Sequence, residues 1–302
     1  MRKLLPMIAL GCVLLLGVVI CGQTLPLERG DHVFVALLDD NRGEMVDPPA
    51  GAVPHRVIRP AFERTSSGWQ QAKGSTLPTP MKWTIAFDGR NVGQVESQAT
   101  SGWDFTPYQT IITPAAAIPT VGSPSQVFGG ILGDPERKFR RPLVAISKPY
   151  FHDPDGWKRT KLPDAVKTLV RDAFRREYPH VDRCKDEQVA EKNWNFPDSA
   201  LALDGAYASK KHGFLVAASL DAGDCGWVDD PEDPQSGPWF FVSTDGTVRR
   251  IGSFMSLLDA GDYDHDGQSE VIFFLSQPEN TDGFILFDAG FRRPVTFSWN
   301  YH

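Results

Sequence analysis

The chain has 302 residues, 41% hydrophobic and 23% charged, which excludes wholesale disorder and leaves room for one large β domain or two ordinary ones. Its formal net charge is −7, or −9 once Arg2 and Lys3 are set aside with an N-terminal export segment; a surface this acidic repels phosphate backbones and excludes general nucleic-acid binding. Glycine (27) and proline (24) make up about a sixth of the chain, which suits a fold with many turns but falls short of low complexity.

Arg2 and Lys3 precede an apolar run from Leu4 to Cys21, and the polar Gln23 and Thr24 follow. A positive start, an apolar core and a small-residue exit predict a secretory signal over residues 1–22, cut near Cys21 or Gly22. The expected location is then secreted or periplasmic. The run also just suffices to cross a bilayer, so an uncleaved membrane anchor is the alternative. Cys12 and Cys21 lie inside this segment. The remaining pair, Cys184 and Cys225, is expected to form one disulfide in an oxidising compartment, worth roughly 3–4 kcal/mol for a loop of about 40 residues.

Residues 25–142 read as an N-terminal β region. His32 to Leu38 is a short apolar run closed by a turn at 39–43, and Arg56 to Gln71 alternates apolar with polar residues. From Lys82 to Val95, Trp83, Ile85 and Phe87 share one face before an Asp88-Gly89 turn, which is a hairpin signature. From Thr106 to Pro142, six prolines interrupt any long element, so a surface excursion or a join between subregions is expected there.

Residues 143–302 read as one helix followed by a second β region. Pro163 and Asp164 open the helix, and Val166, Leu169, Val170, Ala173 and Phe174 form its apolar stripe. Lys167, Arg171, Arg175 and Arg176 fill the opposite face, read as solvated. Strands are expected at Phe214–Ala218, in a hairpin turning on Asp245-Gly246, and at Val271–Leu275, Phe284–Phe287 and Val295–Trp299, with a turn at Thr281-Asp282-Gly283. Leu-Asp-Ala-Gly-Asp occurs at 220–224 and again at 258–262, and Ser-Gly-Trp at 67–69 and 101–103. The predicted fold is mainly β with one amphipathic helix, a propeller-like or sandwich-like β-meander.

Asp262, Asp264 and Asp266 occupy alternate positions of a loop whose sixth residue is Gly267 and whose ninth is Glu270. Alternate carboxylates in a tight loop converge, which matches a hard cation wanting six to eight oxygens, and the main-chain carbonyl of Gln268 is placed to join them. Calcium is the expected cofactor; an acidic Asp-Gly turn without metal is the alternative. An EF-hand would want an acid at position 12, which is Phe273, and Glu270 leads straight into a strand rather than a helix.

Over Leu258 to Phe287 these residues resemble the calcium loops of FG-GAP or VCBS-type repeats, whose motif is Asp-x-Asp/Asn-x-Asp-Gly-x-x-Asp followed by a strand. Glu270 departs from it by replacing the last Asp. The resemblance implies calcium held by Asp262, Asp264, Asp266, Gln268 through its main chain, and Glu270.

No Gly-x-Ser-x-Gly elbow, His-Glu-x-x-His or nucleotide loop occurs, and the seven histidines are scattered singly. Two functions are carried forward. The first is an exported, non-catalytic calcium-binding module, structural or directed to an extracellular protein or glycan. The second is a secreted glycan hydrolase with a structural calcium, which would show exposed tryptophans along a cleft with paired carboxylates.

Overall fold

The computed structural model describes residues 32–40, 56–73, 77, 80–101, 108–111, 119–128, 141–149, 151–277 and 281–300. The expected export segment at 1–22 lies outside them. So do Trp103 and most of the proline-rich stretch. Among the described residues no helix is long and apolar enough to cross a membrane.

The strands of the N-terminal region are β1 (Val33–Asp40), β2 (Arg56–Thr65), β3 (Gly68–Gln71), β4 (Met81–Phe87), β5 (Arg90–Ser101), β6 (Tyr108–Ile111) and β7 (Leu143–Ile146). After a short β8 (Lys158–Arg159) comes the helix α1 (Asp164–Glu177), then a small hairpin of β9 (Arg183–Lys185) and β10 (Gln188–Glu191). The C-terminal strands are β11 (Leu201–Ser209), β12 (Gly213–Leu220), β13 (Trp239–Ser243), β14 (Val248–Gly252), β15 (Met255–Gly261), β16 (Glu270–Gln277), β17 (Thr281–Phe287) and β18 (Val295–Asn300).

Strands β1 to β7 form one antiparallel sheet in the order β1-β7-β4-β5-β6-β2-β3. Because β2 also pairs with β1 along its length, the ladder returns to its first strand and the sheet curls around its own core of Phe34, Ala36, Leu38, Trp83, Ile85 and Ala145. The alternate residues Val33, Val35 and Leu37 point the other way, onto the sheet of β15 to β18. That second sheet is covered on both faces. Ile272 and Phe274 of β16 meet the curled sheet, while Val271, Phe273 and Leu275 meet the sheet in the order β14-β13-β12-β11-β8. Burial on both faces explains why β15 is buried throughout and β16 reads as an unbroken apolar run rather than an alternating one. The third sheet turns Val216, Ala218, Phe240 and Val242 outward beneath α1. The architecture is thus a sandwich-like stack, mainly β, with one helix on the last face.

The helix begins and ends where its sequence indicates, at Pro163 and Tyr178. Its buried face is Val166, Val170, Ala173 and Phe174, while Leu169, expected in the stripe, lies at its margin with 37% exposure. The Asp88-Gly89 turn takes positive φ at both residues, as a two-residue hairpin turn requires. Three expectations change. Arg56 to Gln71 is two strands folded back at residues 66–67, not one run. The expected turn at Thr281-Asp282-Gly283 lies inside β17, paired with β16 and β18. And β7, beyond the anticipated boundary at 142, is built between β1 and β4, so that boundary falls within one sheet.

Candidate metal centre

The loop 262–269 joins β15 to β16, and the ladder closes at the Gly261–Glu270 pair. Its aspartates fold it locally. Asp264 Oδ1 accepts the Asp266 N–H at 3.2 Å, Asp266 Oδ1 accepts the Gln268 N–H at 2.8 Å, and Asp262 Oδ2 accepts the Gly267 N–H at 3.0 Å. Such side-chain-to-backbone bonds are what make Asp a turn former. Gly267 supplies the φ of +88° that the bend needs, and an added Cβ there would meet nothing within 4 Å, so the requirement is purely conformational.

The result is a convergence of carboxylates. One oxygen each from the buried Asp262, Asp264 and Glu270 lies within 4.8 Å of the others, and no second such group of three forms among the described residues. Asp266, also expected as a ligand, sits outside this group on the exposed side of the loop, and Gln268, expected to contribute its main-chain carbonyl, is exposed there too. At an effective dielectric of about 20, each pair of ionised carboxylates at that separation repels by about 3–4 kcal/mol. Burial, reinforced by Asp264, Asp266 and Asp262, pushes the Glu270 carboxyl well above its ordinary range. Asp262 is raised by burial and then by Asp264 and Asp266. A cation would favour the ionised forms of Asp262 and Glu270.

The cluster is partly compensated from far along the chain. Arg64 on β2 donates from Nε to Asp264 Oδ2 at 2.6 Å, and Trp69 on β3 aims its indole N–H at Glu270 Oε1, 3.4 Å away. The Tyr263 N–H reaches Glu270 Oε2 at 2.8 Å. Asp262 Oδ1 is buried with no hydrogen-bond partner. A buried, orphaned carboxylate oxygen beside two other carboxylates fits a hard cation, and all three donors are of the oxygen type calcium prefers.

A second acidic turn braces the loop from behind. Ser269, fully buried, donates its N–H to Asp155 Oδ2 at 2.7 Å and its hydroxyl to Asp153 Oδ1 at 2.5 Å. Asp153 also gathers the N–H groups of Asp155, Gly156 and Trp157. Asp155 faces Lys211 Nζ and His212 Nε2, each at 2.8 Å. Burial raises the Asp155 carboxyl, but Lys211, the Ser269 N–H and His212 together hold it below its ordinary value. A serine, a histidine and two aspartates therefore meet, yet not as a nucleophile relay, because Ser269 donates to carboxylate rather than imidazole and is closed to solvent. In sequence Asp153-Pro154-Asp155-Gly156 is only a turn with too few ligands; its role depends on a partner 114 residues away.

Cys184 and Cys225 form the expected disulfide. It pins the β9–β10 hairpin to the loop after β12, where Gly223 passes so close to the Cys184 carbonyl that a Cβ would stand 2.2 Å from it. Among the tryptophans, Trp157 is buried, Trp69 half-buried and Trp227 78% exposed. Trp83 and Trp239 point inward as well. No family model matches the chain, and neither a curated protein nor a solved structure matches it. The likeness to FG-GAP or VCBS-type loops therefore rests on the loop residues alone.

Proposed function

We propose that the protein is an exported β module that binds calcium through Asp262, Asp264 and Glu270, with Asp266 and the Gln268 carbonyl completing the loop side, and that the cation staples β15 to β16. The observation carrying this reading is the buried, unpartnered Oδ1 of Asp262 within a convergent trio of carboxylates. The loop motif and the N-terminal export signature support it. The inward Trp83, Trp157 and Trp239 and the buried Ser269, which bonds carboxylate rather than imidazole, favour a non-catalytic module over a hydrolase.

Calcium that binds only the folded protein raises its stability, by about 2.7 kcal/mol at a hundred times Kd. The melting temperature should rise with millimolar calcium, and an Asp264→Ala/Asp266→Ala variant should not respond. No rise, or an equal rise in that variant, would remove the assignment.

A further inference from the structure

Between the β2–β3 hairpin, the loop and the turn before β18 lies a cleft of about 460 Å³, within the usual range for small-molecule sites. Asp264, Asp266, Glu270, Arg64, Trp69 and Arg293 are among the residues that line it. Asp262 does not reach it. The cluster is therefore closed on the Asp262 side and open on the Asp264–Glu270 side. A hard cation there would have oxygen positions that the protein trio leaves unfilled, and the cleft is the side from which a ligand could reach them.

The two arginines differ. Arg64 is committed to Asp264. Arg293 is exposed and makes no hydrogen bond or ion pair among the described residues, so its guanidinium fork is free for a carboxylate. Asp288, which also lines the cleft, turns Oδ1 to the Arg292 N–H at 3.4 Å. Trp69 packs on the core shared by the first two sheets and points its N–H at Glu270, which anchors an aromatic surface beside the carboxylates.

From this juxtaposition we infer that the cleft binds an acidic saccharide: sugar oxygens complete the cation's shell, the ring rests on Trp69 and the sugar carboxylate pairs with Arg293. The inference rests on the calcium reading. Hydroxyl and carboxylate oxygens are the ligands a hard cation takes, a pyranose ring offers the flat C–H face an indole accepts, and a free Arg calls for an anion.

The test is calorimetric titration of the protein with glucuronate, with glucose and with an acidic tetrapeptide of glutamate, each in calcium and in chelator, beside melting curves in calcium. Glucuronate should bind in calcium, lose binding in chelator, exceed glucose by roughly tenfold or more, and weaken by a similar factor in Arg293→Ala. Arg293 lies outside the calcium donors, so that variant should keep its calcium-dependent rise in melting temperature. A preserved rise with no glucuronate binding, or with binding indifferent to Arg293, overturns the saccharide site alone. Glutamate peptide binding as tightly as glucuronate overturns the saccharide in favour of a peptide ligand. Absence of any calcium effect overturns both readings.

Discussion

The pentapeptide Leu-Asp-Ala-Gly-Asp leads into two acid-rich loops, and the two copies have opposite fates. After 220–224 the chain runs out to solvent. Asp221, Asp224, Asp230 and Asp233 each cap a backbone N–H two residues on, Glu232 pairs with Arg250, and none of their carboxylates joins a metal-sized group. After 258–262 the chain lies between two packed sheets, and Asp262, Asp264 and Glu270 converge in a buried space. Acid density is common to both loops; buried convergence, with a brace at Ser269 and an orphaned oxygen on Asp262, belongs to one. Electrostatics follow the packing, because the same charges cost little in water and several kcal/mol when buried together.

The second residue of the 258–262 copy gives the largest expected effect. Asp259 is fully buried near Arg141, and burial raises its carboxyl from 3.8 to about 7, with Arg141 opposing. A group whose folded pKa is raised contributes stability that is complete below its unfolded pKa and lost as pH climbs through the folded one. Between pH 3 and pH 8, therefore, the wild type should lose about 4 kcal/mol of unfolding free energy relative to Asp259→Asn. Denaturant unfolding of the wild type and Asp259→Asn across pH measures it, and parallel curves for the two would contradict it.

Next is the staple of the exposed loop. Replacing Cys184 and Cys225 together by alanine should lower stability by roughly 3–4 kcal/mol while leaving the calcium response intact. Loss of that response would mean the two loops are not independent. For the enclosed loop, Asp262→Asn should abolish calcium stabilisation, about 2.7 kcal/mol at a hundred times Kd, whereas Asp230→Ala/Asp233→Ala should leave it unchanged. Thermal melts with and without calcium read both. Ser269→Ala removes the hydroxyl from Asp153 and, by loosening the turn that braces the loop, should weaken calcium binding in a calorimetric titration. If affinity is unchanged, the turn at 153–156 is not a brace for this loop.

Sequence was most informative where the signal is local. The Asp88-Gly89 hairpin, the helix opened by Pro163, and the loop's alternating aspartates each depend on neighbours within a few residues. Leu169 deviates because a stripe drawn at ideal spacing ignores where the underlying sheet ends. Strand β7 escaped notice because four apolar residues after a proline-rich stretch carry no periodicity; its burial comes from β1 and β4 on either side. Arg64 and Trp69 were equally invisible as parts of the site, since their partners lie 200 and 201 residues away. The donor types were legible, but which of them would be enclosed was not, because enclosure is a property of the stacked sheets.

Anomalous diffraction from crystals grown with terbium in place of calcium tests the enclosed loop most directly, since a lanthanide seeks the same hard oxygen shell. One strong peak bounded by Asp262, Asp264 and Glu270, displaced by excess calcium, is the predicted result. A peak at residues 229–233 instead, or no peak near Glu270, would contradict it.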